Sequence, residues 1–182
     1  MKASYSTVID LLLDQNVVAI FQGKSEIGPR ALGNRSLLFD PRNPNGKDIV
    51  NKIKKREPFR PFAGSILLEH VSEWFDMYSL DESPYMTFAV DAKQKAKDEV
   101  PSIIHVDGTC RIQTVKQSNN YHYWNLINTF YQRTSVPILF NTSFNLAGEV
   151  MVQTIDDALD TMSRSDVNYL YLPEYEEIIK YV

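Results

Sequence analysis

Val17-Val18-Ala19-Ile20-Phe21-Gln22-Gly23-Lys24-Ser25-Glu26-Ile27-Gly28-Pro29-Arg30-Ala31-Leu32-Gly33-Asn34-Arg35-Ser36 passes from an unbroken apolar run into a loop bearing glycines and cations. The apolar run 17–21 has the length of a buried strand and is far too short to cross a bilayer. Gly28, Pro29 and Gly33 predict a loop over 25–35, with at most one helical turn. Lys24, Arg30 and Arg35 crowd that turn. Glycine lets backbone N–H groups approach an anion, and an arginine fork binds phosphate through two parallel hydrogen bonds. The Gly-x4-Gly-Lys-Ser/Thr spacing of a P-loop is absent. An ordinary loop with surface charges has the same composition, so this stretch alone leaves both readings open.

Working outward, helix and strand patterns alternate. Residues 6–15 predict a helix, with Ser6 or Thr7 as N-cap. Residues 37–39 predict a short strand, 47–55 a helix, 63–68 a strand and 71–77 a short amphipathic helix. Residues 85–90 and 111–115 read as strands, and 93–99 as a charged, solvated connection. A helix over 121–133 and a strand over 136–140 follow. Thr154, with Asp157 three residues on, opens a helix to about Arg164 through a near capping box. The last strands are 167–172 and 176–181. This interspersion lacks a strict β-α-β rhythm and favours an α+β domain with a mixed sheet.

The chain has 182 residues, of which 43% are hydrophobic and 12% aromatic, so one domain over 1–182 can bury a real core. Its formal net charge of −4 lacks the basic excess of a general nucleic-acid binder. Any anion site must then rest on a few local cations. Cys110 is the only cysteine, which rules out an internal disulfide and fits a reducing compartment. No signal peptide is legible, and the expectation is a soluble cytoplasmic protein without a membrane partner. The three histidines are scattered, so a histidine metal site is not expected.

Three further segments carry chemistry. In Ile53-Lys54-Lys55-Arg56-Glu57-Pro58-Phe59-Arg60-Pro61-Phe62-Ala63, cations close a helix, where its dipole favours them. That suffices for Lys55 and Arg56. Arg60, set among Phe59, Pro61 and Phe62, calls for an anionic partner or an aromatic face. In Asp107-Gly108-Thr109-Cys110-Arg111-Ile112-Gln113-Thr114-Val115, Arg111 and Gln113 share one strand face, compatible with an exposed sheet surface. In 136–145, an apolar strand empties into Asn141, Thr142, Ser143 and Asn145, which suit either ligand binding or turn chemistry.

Together the strings FQGKSEIGPRALGNRSLL, IKKREPFRPFA, DGTCRIQTV and LFNTSFN with GEVMV resemble the C-terminal domain of the O-carbamoyltransferases. That family includes nodulation carbamoyltransferases and antibiotic carbamoyltransferases of the tobramycin type. The strings lie in the family's order over residues 21–152. The resemblance implies a YrdC-like fold: an open, twisted, mixed sheet with packed helices and a concave anion-binding face. It implies that carbamoyl phosphate yields carbamate, which attacks the α-phosphorus of ATP, with Mg²⁺ as the ATP counter-ion, to form carbamoyl-adenylate. Lys54, Arg60 and Arg30 are the implied catalytic cations. Arg111, Asn141 and Ser143 complete the implied binding set. A separate N-terminal domain with an iron site, in cis or in trans, would pass the carbamoyl group to an acceptor hydroxyl. That domain is absent from these 182 residues, so the chain is expected to be a fragment or split subunit. Two departures touch local shape: Gly64 stands where the family often has proline, and Cys110 where it usually has another small residue. A relative of the threonylcarbamoyl-adenylate synthases of tRNA modification and a non-catalytic docking module stay open as alternatives.

Overall fold

The computed structural model describes residues 1–181. Its centre is a nine-stranded mixed sheet in the order β4-β5-β6-β3-β7-β2-β1-β8-β9. The strands are β1 (Val18–Phe21), β2 (Arg35–Phe39), β3 (Ala63–Leu67), β4 (Phe75–Asp76), β5 (Ala89–Ala92), β6 (Thr109–Val115), β7 (Ile138–Ser143), β8 (Tyr169–Leu172) and β9 (Glu177–Lys180). Only β1–β8 and β3–β6 pair in parallel; the other neighbours are antiparallel. The helices are α1 (Tyr5–Leu13), α2 (Gly46–Ile53), α3 (Val71–Trp74), α4 (Gln94–Glu99), α5 (Tyr121–Thr134) and α6 (Ile155–Ser163). An open mixed sheet with packed helices was the architecture expected from the sequence.

The central strands β2, β3 and β7 are buried along most of their length, which accounts for the apolar stretches 37–39, 66–67 and 138–140. Helix α5 packs against β3, β7 and α1, burying Tyr123, Leu126, Ile127 and Phe130. Their spacing of three and four residues lays one apolar stripe on the sheet. Gly64 in β3 leaves room for Ile103, whose Cδ1 would lie 2.5 Å from an added Cβ. No described helix is long and apolar enough to cross a membrane.

Several local expectations shift. Helix α1 is capped by Ser4, not Ser6 or Thr7, and Ser4 and Thr7 form its capping box. The 71–77 helix stops at Trp74, and Phe75–Asp76 turns into edge strand β4, paired with β5. The strand expected at 85–90 forms later, at Ala89–Ala92. Residues 94–99, read as a solvated connection, form α4 and bury Ala96. One small apolar residue among charges gives too little periodicity to betray a helix. Strand β7 extends through Asn141, Thr142 and Ser143, because β2 and β3 offer ladder partners to these polar residues. Thr154 caps α6 with Asp157 in a full capping box, as expected.

Candidate functional site

Register brings the chemistry-bearing segments together. In the three central strands, Arg111 of β6, Ala63 of β3 and Asn141 of β7 occupy one row. Residues directly opposite in a sheet point to the same face. The loop after β1, the segment after α2 and the end of β7 close over that row. They enclose a cleft of about 340 Å³, lined by Arg30, Lys54, Arg60, Arg111, Asn141 and Ser143 among others. All six residues singled out in the sequence therefore meet at one place. Arg56, His105 and Asn145 also line it, and were not among the six.

The cations differ in how they are held. Among the described residues, the guanidinium groups of Arg30 and Arg111 donate no hydrogen bond to the protein and form no ion pair. Burial, and next the charge of Arg111, lower the pKa of Arg30. Two like-charged forks in one cleft without a counter-ion make an anion site by electrostatics alone.

Arg60 is half exposed and pairs with Glu57 at 2.8 Å. Arg56, read from sequence as merely complementing the helix dipole, stands 4.2 Å from the Phe62 ring centroid. It also donates to Asn51 Oδ1 at 2.5 Å. Burial, followed by Arg60, lowers its pKa to about 10. The aromatic face expected for Arg60 is thus taken by Arg56. Lys55, at φ +53°, turns the chain after α2, and sequence spacing does not reveal which arginine meets the ring.

Lys54 is 2% exposed. Its ammonium donates to the main-chain oxygen of Ser143, and to Asn145 O and Oδ1 at 2.9 and 3.0 Å. Ser143 Oγ donates to Asn145 Oδ1 at 2.7 Å. Lys54 therefore joins the end of α2 to the end of β7. Glu149 is the one carboxylate lining the cleft among the described residues, and Arg164 holds it at 2.5 Å and keeps its pKa low.

The floor is a buried amide ladder. Asn141 Nδ2 lies 3.1 Å from Ala31 O and 2.9 Å from Ser65 Oγ. Ser65 Oγ donates to Gln113 Oε1 at 2.7 Å, and Gln113 Nε2 donates to Leu32 O at 2.9 Å. Gln113 is consequently buried, not on the exposed sheet surface that its alternation with Ile112 suggested; the loop after β1 covers it. Asn141 Oδ1 has no partner. Asn141 lines the cleft, and its unpaired, solvent-shielded acceptor is the one polar group of the ladder still lacking a donor.

Arg35, grouped with Arg30 in the sequence, plays another part. It is buried, with Nη1 on Gln22 O and Asn34 O, Nη2 on Gly23 O and Gln153 O, and its guanidinium 3.5 Å from the Phe21 ring centroid. It staples the root of the loop and does not line the cleft.

The family described as Carbamoyltransferase C-terminus matches residues 9–177, nearly the whole chain. The chain belongs to the carbamoyltransferase C-terminal family. Among its relatives, nodulation protein NolNO of Sinorhizobium fredii is 45% identical over 172 residues, covering 93% of this chain and 25% of NolNO. Nodulation protein NolO of Bradyrhizobium diazoefficiens is 46% identical over 167 residues, covering 91% of this chain and 30% of NolO. The chain thus spans under a third of these relatives. In three dimensions it is similar to part of full-length HypF, crystallised in a phosphate- and nucleotide-bound form. The TM-score is 0.64 at 17% identity, over 92% of this chain and 24% of HypF. At that identity the likeness is one of fold, and it agrees with the YrdC-like architecture.

Proposed function

We propose that this cleft forms carbamoyl-adenylate from carbamoyl phosphate and ATP. Water would convert carbamoyl phosphate to carbamate and inorganic phosphate. A carbamate oxygen would then attack the α-phosphorus, and the bond to the β-phosphate would break to release pyrophosphate. The observation that carries this reading is the convergence of Arg30, Lys54, Arg56, Arg60 and Arg111 on one cleft whose lining carboxylate, Glu149, is neutralised by Arg164. Such a site selects polyanions and stabilises charge that builds on phosphoryl oxygens.

Within it, Arg30 and Arg111 span phosphate oxygens bidentately. Arg60 reaches the same anion by leaving Glu57, an exposed pairing that costs little to break. Asn141 Oδ1 accepts an N–H of the carbamoyl amide, which distinguishes that group from a plain carboxylate. Ser143 Oγ hydrogen-bonds the carbamoyl group or the adenylate. Lys54 fixes Ser143 and Asn145 from beneath through its Nζ hydrogen bonds. Mg²⁺ would enter on the ATP phosphates and share their charge with the arginines; with Glu149 engaged, the lining offers it no free carboxylate. Transfer to an acceptor hydroxyl would fall to a separate N-terminal domain with an iron site, in cis or in trans.

Pyrophosphate release from ATP and Mg²⁺, with and without carbamoyl phosphate, tests this directly. Release that depends on carbamoyl phosphate and disappears in Arg60→Ala is expected. Equal release without carbamoyl phosphate would overturn the substrate assignment.

A further inference from the structure

The loop over residues 22–34 carries Arg30 into the cleft, and it is folded around a carboxylate of its own. Glu26 Oε1 accepts from the amide nitrogens of Leu32 at 2.7 Å and Asn34 at 3.0 Å. Glu26 Oε2 accepts from the amide nitrogen of Arg35 at 3.2 Å. The carbonyl side of the same turn is held from below, Ala31 O by Asn141 and Leu32 O by Gln113. Gly33, at φ +104°, packs so close to the Tyr123 ring that an added Cβ would lie 2.3 Å from its Cδ1. The stretch just after Arg30 is thus gripped on its N–H side by Glu26 and on its C=O side by the sheet.

This grip has an electrostatic purpose. Arg30 and Arg111 are like-charged and line one cleft, the charge of Arg111 acts on Arg30, and neither guanidinium has a partner among the described residues. Left free, a glycine-rich loop would swing Arg30 toward water and away from Arg111. The nest of backbone N–H groups that the sequence offers to an external anion is occupied by Glu26 instead. A half-buried carboxylate needs such donors, and three amides supply them.

We propose that Glu26 is a positioning residue of the anion site: by folding residues 31–35 around its carboxylate it holds Arg30 opposite Arg111, ready for a phosphate that bridges both. Glu26 touches no reacting atom and acts through the loop. The inference rests on the reading of the cleft as a phosphate site and adds how that site is kept preorganised.

The test is pyrophosphate binding by calorimetry to wild type, Glu26→Ala, Glu26→Gln, Arg30→Ala and the Glu26→Ala/Arg30→Ala double variant. Circular dichroism and thermal melting verify folding. Glu26→Ala should weaken binding by about tenfold or more, since three charge-assisted hydrogen bonds that fix the loop are lost. Glu26→Gln, which keeps an acceptor for Leu32 and Asn34, should recover most of it. In the Arg30→Ala background, Glu26→Ala should add nothing, the non-additivity expected when one residue acts only through another. A merely structural role would weaken both backgrounds alike. If Glu26→Ala does not fold, the same cycle with Glu26→Gln decides, with a few-fold loss expected to vanish beside Arg30→Ala. Equal binding by wild type and folded Glu26 variants, or additive losses, would overturn the proposal while leaving the phosphate site intact. A wild type that binds no pyrophosphate would overturn both.

Discussion

Lys54 grips Asn145 twice, through its main-chain oxygen at 2.9 Å and its side-chain Oδ1 at 3.0 Å. The contact bridges 91 residues of sequence and seats a lysine that is almost wholly buried at the base of a cationic cleft. Burial, and after it Arg56, push its pKa down to about 7 from 10.5. Between those values the unfolded chain holds a proton that the folded chain lacks. Stability must therefore rise with pH across the window, by at most about 1.4 kcal/mol per pH unit. The cost is complete below pH 7 and fades as pH climbs toward 10.5. Denaturant melts at pH 7, 8 and 9 should show this slope in wild type and not in Lys54→Met. A flat wild-type profile would mean that the three oxygen acceptors keep the ammonium charged.

Arg111→Gln separates function from stability. It removes a like charge beside Arg30 and breaks no ion pair or hydrogen bond among the described residues. The melting temperature should stay level or rise, as when a functional site carries strain. ATP or pyrophosphate affinity should fall by about tenfold or more, the loss of one charge-assisted bidentate contact. A variant that loses stability in step with affinity would contradict the unpartnered state of this fork.

Asn141→Ala strands the buried Ala31 O and removes one of the two partners of Ser65 Oγ, which keeps Gln113. Unfolding free energy should drop by about 1–3 kcal/mol, the cost of leaving buried polar groups unsatisfied. Urea titration measures it. On the proposed reading the same variant, assayed well below its melting temperature, also loses carbamoyl phosphate-dependent turnover.

Gly33→Ala should be among the most damaging single changes in the loop. An added Cβ would lie 2.3 Å from Tyr123 Cδ1, at a φ of +104° that alanine avoids. Either Tyr123 or the loop must move, and about 3 kcal/mol of stability should be lost. Thermal unfolding monitored through the near-UV signal of the buried tyrosine checks this. A change below about 0.5 kcal/mol would show that α5 yields more readily than a packed helix should.

Much of the fold is legible in the sequence because its signals are local. Apolar runs give β1, β3 and the first half of β7, alternation gives β6, the three-and-four spacing gives α1, α2 and α5, and Thr154 with Asp157 gives the start of α6. The errors fall where local signals are silent. Asn141, Thr142 and Ser143 look like turn residues until β2 and β3 supply their ladder partners. Residues 94–99 look solvated until Ala96 is seen to pack beneath them.

The candidate site divides the same way. Its residue types were readable one segment at a time: Arg30 by its loop, Arg60 by its proline-flanked aromatics, Arg111 and Asn141 by the strands that end beside them. The sequence by itself determined that these cations exist within a glycine-bearing, mixed-sheet chain of the carbamoyltransferase kind. Only the tertiary structure decided which of them are free. Arg35 is spent on backbone carbonyls, Arg56 rather than Arg60 takes the aromatic face, and Arg30 and Arg111 alone stand without partners among the described cations of the cleft. Pairing is a property of distance between segments far apart in the chain, set by strand register and loop closure, and no local pattern encodes it.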